Sequence, residues 1–159
     1  DSLITKLIDY YEMIAEDRGI TFEKLGEFKT VLGDEGLLQR LFANLMSNAI
    51  YYAVSDSIIT ISATISGSII DIAKEEALSS KQSLLITVTN RLDKPLNQSE
   101  ADKLFERFYR HDKISHQHSG TGLGLSIVQA IANAHKGKVG ITIKDDYYFQ
   151  VSVELLTEN

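Results

Sequence analysis

Along this chain the spacing of apolar residues alternates between a helix period and a strand period. That alternation restricts the fold to a layered class of sheet and helix. Leu3, Ile4, Leu7, Ile8, Tyr11, Ile14 and Ala15 recur at helical intervals, and Gly19 stands where a glycine ends a helix. Ile20 to Lys29 reads as extended. Asp34 offers an N-cap for a helix from Glu35 to about Ala53. Ser57 to Thr64 and Leu84 to Thr89 carry strand patterns, and Gly67 to Lys81 reads as a long surface connection between them. Glu100 to Tyr109 reads as a short helix with Leu104, Phe105 and Phe108 on one face, and Leu123 to His135 as another. Lys138 to Lys144 and Tyr147 to Leu155 read as strands joined in a hairpin at Asp145-Asp146. The order α-β-α-β-β-α-α-β-β predicts an α/β (α+β) two-layer sandwich, a mixed β-sheet with helices packed on one face.

Composition removes several classes of function. At 159 residues one domain is expected, able to bury roughly 70% of its unfolded surface. With no cysteine there is neither a disulfide framework nor a thiolate metal site. A net charge of −6 and a pI near 5.2 argue against nucleic acid or an anionic membrane surface as main partner. No apolar run reaches the ~18 residues of a membrane span. The chain opens on Asp1 inside a helical pattern, as an excised piece of a longer protein would.

Gly120-Thr121-Gly122-Leu123-Gly124-Leu125 leads directly into the second predicted helix. A glycine-rich loop opening a helix presents unpaired N–H groups and the positive end of the helix dipole, a setting for phosphate. Two familiar phosphate motifs are excluded. The Rossmann fingerprint needs a sixth-position glycine after a strand, where this chain has Leu125 and no strand. Walker A ends in Gly-Lys-Ser/Thr, but Gly137-Lys138 is followed by Val139. On glycines alone, a flexible loop before a helix stays open as a reading.

On the Glu35–Ala53 helix, Asn44 and Asn48 lie four residues apart on one face, with Tyr51 and Tyr52 continuing that flank. Asn is unfavourable inside a helix because its side chain competes for backbone hydrogen bonds. Side-chain carbonyls that ligate Mg²⁺, with amides reaching phosphate oxygens, give one reason for the pair. A solvated flank or helix-to-sheet hydrogen bonds give another. His111, His116, His118 and His135 show no third metal ligand and read as exposed residues between a lid and a helix end.

Three stretches resemble motifs of one family. Leu41-Phe42-Ala43-Asn44-Leu45-Met46-Ser47-Asn48-Ala49-Ile50-Tyr51-Tyr52-Ala53 is similar to the N box of bacterial sensor histidine kinases. Leu104-Phe105-Glu106-Arg107-Phe108-Tyr109-Arg110 is similar to their F box, and Gly120 to Val128 to their G2 box. Order and spacing agree, and the resemblance runs from about Ile20 to Leu155. It implies the histidine kinase-type ATP-binding domain, a Bergerat (GHKL) fold shared with gyrase, Hsp90 and MutL. The F box argues against a DNA-topology or chaperone ATPase.

The resemblance implies ATP and Mg²⁺ as cofactors. Asn48 becomes the Mg²⁺ ligand, Asn44 lies beside the phosphates and Tyr52 near the adenine. The backbone of Gly120, Thr121, Gly122, Leu123 and Gly124 holds phosphate. Residues 92–119 form a lid anchored by Phe105 and Phe108, with Arg107, Arg110 and Lys113 as candidate phosphate contacts; a solvated basic face is the other reading of those cations. Residues 1–19 become a helical tail from a dimerisation and phosphoacceptor region, and 20–159 the ATP-binding domain. The implied activity is that of a protein-histidine kinase in a two-component phosphorelay: transfer of the γ-phosphoryl group to a histidine on a separate upstream domain. The implied partners are that domain, a response regulator and a second copy of the full-length protein. A cytoplasmic location follows, with no direct membrane contact by this domain, and attachment of the parent protein to a membrane is left open.

Two departures modify the expectation. Where the family's G1 box keeps Asp-x-Gly-x-Gly, this chain has Asn90-Arg91-Leu92-Asp93-Lys94, so Asn90 takes the base-contacting position and both glycines are missing. Tyr51 stands where a basic residue is frequent. Both point to weaker or altered nucleotide binding, and make a degenerate domain serving as an interaction module the alternative.

Overall fold

The computed structural model describes residues 1–66, 82–107 and 124–158. Helix α1 (Ser2–Ala15) runs into a 3-10 turn (Glu16–Arg18) that Gly19 ends at φ 66°. Strand β1 (Thr21–Gly26), helix α2 (Glu35–Tyr52), β2 (Ile58–Ser66) and β3 (Ser83–Arg91) follow. A short helix α3 (Gln98–Asp102) with a 3-10 turn (Lys103–Phe105) precedes α4 (Gly124–Ala134), β4 (Lys138–Lys144) and β5 (Tyr148–Leu156). The predicted element order is the observed one.

The strands form one sheet in the order β1-β2-β3-β5-β4. Among the described residues only the β1–β2 pair is parallel, so the sheet is mixed as expected. Alternation sorts its two faces. Ile59, Ile61, Leu84, Ile86, Val88, Phe149, Val151 and Val153 turn to the helices and are buried. The opposite face is polar, with Thr87 Oγ1 and Ser152 Oγ 2.9 Å apart and Gln150 Nε2 donating to Thr89 Oγ1 at 3.1 Å. Helices α1, α2 and α4 cover the apolar face, and Ile4, Leu7 and Ala15 of α1 join the same core as Leu41, Leu45 and Val128.

Both ends of α2 are capped. Asp34 accepts from Leu37 N–H at 2.8 Å, and the Arg18 guanidinium donates to the carbonyls of Ile50 and Ala53 at the other end. A cation there answers the negative end of the helix dipole. His135 ties α2 to the C-terminus of α4. Its Nδ1 donates to the Ile131 carbonyl at 2.8 Å, and its Nε2 accepts from Asp34 N–H at 3.0 Å. Thus His135 is a half-buried strut between two helices, correcting its reading as an exposed lid residue; the other three histidines lie outside the described residues.

A second correction concerns the helix expected over Glu100 to Tyr109. It begins earlier, because Asn97 and Glu100 form a reciprocal capping box. It also ends earlier, with Glu106 already extended at ψ 136°. The Gln98 amide bonds the β4 backbone like a strand residue, donating to Ile141 O at 2.8 Å and accepting from Ile143 N–H at 3.0 Å. The edge strand is thereby partly paired. Gly67 to Lys81 lies outside the described residues.

Helix α4 stops in a Schellman arrangement. Gly137 N–H donates to Ala132 O at 2.8 Å and Lys136 N–H to Asn133 O at 3.0 Å. The left-handed residue is Lys136, at φ 56°, while the glycine follows it. The reason lies across the sheet, where a Cβ on Gly137 would stand 2.3 Å from the Glu154 carbonyl oxygen. The two positions respond oppositely to substitution. Lys136→Gly is expected to stabilise by about 0.5–1 kcal/mol and Gly137→Ala to destabilise by about 1–3 kcal/mol, read from urea midpoints.

Candidate functional site

The face of α2 that carries the asparagines turns toward the start of α4. Asn44 and Asn48 are both half-buried. A Cβ placed on Gly124, the first residue of α4, would lie 3.8 Å from Asn44 Oδ1 and 4.0 Å from Asn48 Oδ1. Two carbonyl oxygens on one helix therefore converge on the N-terminus of another. One amide hydrogen of Asn44 is spent within α2, on the Arg40 carbonyl at 2.9 Å. That bond turns Nδ2 back along the helix, so the group Asn44 offers toward α4 is Oδ1, an acceptor. The space between α2 and α4 thus pairs neutral, hard oxygen acceptors with helix N–H donors. Such a set matches Mg²⁺ and phosphate respectively.

Four residues beyond Asn48 along α2, roughly 6 Å of axis, the surroundings become aromatic. Tyr52 is buried, with its ring centroid 6.0 Å from that of Phe149 and 5.0 Å from that of Tyr51. Phe149 pairs in register with Asn90 across the β3–β5 ladder. Asn90 therefore faces the helices beside two aromatic rings, and it is 1% exposed. Among the described residues its Nδ2 has no hydrogen-bond partner. An unpaired buried donor costs about 1–3 kcal/mol, so a native chain that keeps one has a use for it.

The residues after Asn90 are held firmly. Leu92 and Leu96 are each 1% exposed. Their N–H groups donate to Tyr147 O at 2.7 Å and Asp146 O at 2.8 Å in the β4–β5 turn. Asp145 and Asp146, both at positive φ, form the expected hairpin. The start of the 92–119 stretch is thus core-anchored, and Leu92 fills the core where the motif comparison placed bare backbone. Leu104 is buried and Phe105 half-buried against that core. Arg107 is exposed at the end of the described segment. Arg110, Lys113, Gly120, Thr121, Gly122, Leu123 and Phe108 lie outside the described residues.

Sequence reasoning missed Phe149 as the neighbour of Tyr52 and Asn90. The signal was present in strand parity, because any residue opposite Asn90 in the ladder shares its face. It became readable only once the register was known.

The family model for histidine kinase-, DNA gyrase B- and HSP90-like ATPases matches residues 33–158. Sensor histidine kinase CusS of Escherichia coli strain K12 is 31% identical over 140 residues, covering 87% of this chain and 26% of that protein. Sensor-like histidine kinase SenX3 of Mycolicibacterium smegmatis is 34% identical over 142 residues, covering 87% of this chain and 33% of that protein. The chain thus spans about a quarter to a third of the length of these relatives. Among solved structures, full-length ShkA in complex with AMPPNP superimposes with a TM-score of 0.75 at 20% identity, covering 99% of this chain and 30% of that one. The catalytic domain of histidine kinase ThkA, in a nucleotide-free form, superimposes at 0.73 and 22% identity, covering 98% of this chain and 92% of that one. With motifs, fold and family model in agreement over most of its length, the chain belongs to the histidine kinase-, DNA gyrase B- and HSP90-like ATPase family.

Proposed function

We propose that this chain is the ATP-binding catalytic domain of a sensor histidine kinase. It takes ATP with Mg²⁺ and presents the γ-phosphoryl group to a histidine on a separate domain of the same protein. The observation that carries this reading is the convergence of Asn44 Oδ1 and Asn48 Oδ1 on the first residue of α4. The phosphates lie against the N-terminus of α4 and the glycine loop before it, and the base lies against Tyr52 and Asn90. Asn48, with Asn44 beside it, supplies neutral oxygens that suit Mg²⁺, which when bound neutralises charge on the phosphate oxygens. By the motif match, Arg107 and Arg110 are the lid contacts for the transferring group. In the transfer, the acceptor imidazole nitrogen bonds to the γ-phosphorus as the bond to the β–γ bridging oxygen breaks, and ADP leaves. The protein's share is positioning and electrostatics.

The partners that follow are the phosphoacceptor and dimerisation domain, a response regulator, and a second copy of the full-length chain. ShkA in complex with AMPPNP supports the nucleotide reading by analogy. We place the domain in the cytoplasm, and among the described residues no helix is long and apolar enough to cross a membrane.

Calorimetry on the isolated chain tests the reading. ATP with Mg²⁺ is expected to bind with a Kd at or below the millimolar range, and EDTA to weaken it by about 10-fold or more. The buried Leu92 favours a second reading, a domain that keeps the fold as a docking module. No heat and no thermal shift at millimolar ATP would establish that reading instead.

A further inference from the structure

Resting on the nucleotide reading above, we propose that Arg18 is a positioning residue for the nucleotide site: it braces the last turn of α2 and so holds Asn48 in place against the start of α4. Helix α2 carries Asn48 four residues before its end at Tyr52. Helix geometry gives the Asn48 carbonyl to the Tyr52 N–H, so the order of Asn48 depends on the last turn staying wound. That turn has no glycine to close it. Ala53 follows in extended conformation, at φ −66° and ψ 142°, so no Schellman arrangement takes up the final carbonyls of the helix.

Arg18 takes that role from a distant part of the chain. Its Nη1 and Nη2 donate to the carbonyls of Ile50 and Ala53, which bracket the last turn. Among the described residues the guanidinium has no carboxylate partner, so its planar fork is committed to the helix end. The backbone beneath it is fastened to the same place. Asp56 N–H donates to Arg18 O at 2.9 Å, and Thr21 N–H to Ser57 O at 3.2 Å. Gly19 approaches so closely that a Cβ there would lie 2.2 Å from Asp56 Oδ1. A mobile surface cation would answer only the helix dipole. A fork on a fixed backbone sets where the last turn can lie. A site whose competent state is populated only part of the time binds correspondingly less tightly.

Calorimetry with ATP and Mg²⁺ well below the melting temperature, together with amide hydrogen exchange on the same chain, tests this role. Arg18→Met keeps the apolar stem and loses the donors, and its ATP affinity is expected to fall about 10-fold. Exchange at the Tyr51, Tyr52 and Ala53 amides is expected to speed up about 10-fold or more, while that at Ile86 and Val153 in the middle of the sheet changes far less. Arg18→Lys, which reaches one carbonyl, is expected to recover part of both. Coupling is reciprocal, so ATP with Mg²⁺ should slow exchange in the last turn of the wild type. Wild-type ATP affinity in a folded Arg18→Met overturns this inference and leaves the nucleotide reading standing. So does a uniform rise in exchange over helix end and sheet, which marks a loss of global stability alone. No ATP binding by the wild type overturns both. Should Arg18→Met not fold, the wild type decides: a last turn whose exchange is not slowed by bound ATP overturns the inference.

Discussion

Phe149→Ala is expected to destabilise the domain by about 3–5 kcal/mol, the range for removing a fully buried aromatic side chain. Phe149 is 1% exposed and lies on the helix-facing side of β5, a strand paired on both edges. Neither neighbouring strand can collapse into the space the ring leaves. A domain of this size has about 5–15 kcal/mol of stability in all, so the loss is a large share of it. Thermal unfolding should fall by about 6–20 °C. Tyr148→Ala provides the control one residue away. Tyr148 is 42% exposed and points to the opposite face, and its truncation should change stability by no more than about 0.5 kcal/mol. A reversed pattern, with the large loss in Tyr148→Ala and little in Phe149→Ala, would mean that the β5 register is wrong by one residue, because a single slip exchanges the faces. Phe149 packs against Tyr52 and pairs with Asn90, so on the proposed nucleotide reading ATP affinity in a folded Phe149→Ala chain should fall as well.

How far the fold was legible follows from which forces set each element. The strands and α2 were readable because one-sided burial writes its period into the sequence. The Ile59-Ile61 and Val151-Val153 alternations and the Leu38-Leu41-Leu45 stripe are local signals. α3 was misplaced because its limits come from a hydrogen-bonded box between Asn97 and Glu100, which apolar spacing does not show. His135 was misread because its role depends on Asp34, far away in sequence. Lys136 and Gly137 show the same limit. Chain order alone suggests the glycine as the left-handed cap, but the Glu154 carbonyl reserves it for close approach. The site divides in the same manner. Asn44 and Asn48 are neighbours on a helix, so their shared face was deducible. Their meeting with Gly124 depends on how α2 packs against α4, and only the motif resemblance anticipated it. Leu92 stands where the motif keeps a glycine, and the structure makes it a core residue.

Asn48→Ala is expected to reduce Mg²⁺-dependent ATP affinity by about 100-fold or more while leaving the domain folded. The separation of the two effects is what gives the test its force. Asn48 is half-buried about one turn from the C-terminal end of an 18-residue helix, and alanine is a better helix former than asparagine by several tenths of a kcal/mol. The melting temperature should therefore hold or rise slightly. What disappears is Oδ1, one of two oxygens that meet at the start of α4. Asn44→Ala should weaken binding less, since Asn48 would still offer its own oxygen. Asn48→Asp keeps an oxygen but adds a negative charge close to the phosphates. It should bind the cation better than Asn48→Ala, and yet hold ATP less tightly than the wild type. The order wild type, Asn48→Asp, Asn48→Ala in calorimetric ATP affinity, at constant Mg²⁺ and with all three melting within a few degrees of each other, assigns Asn48 to the metal and phosphate end. Wild-type ATP affinity in Asn48→Ala would remove the convergence of α2 and α4 from the nucleotide site altogether.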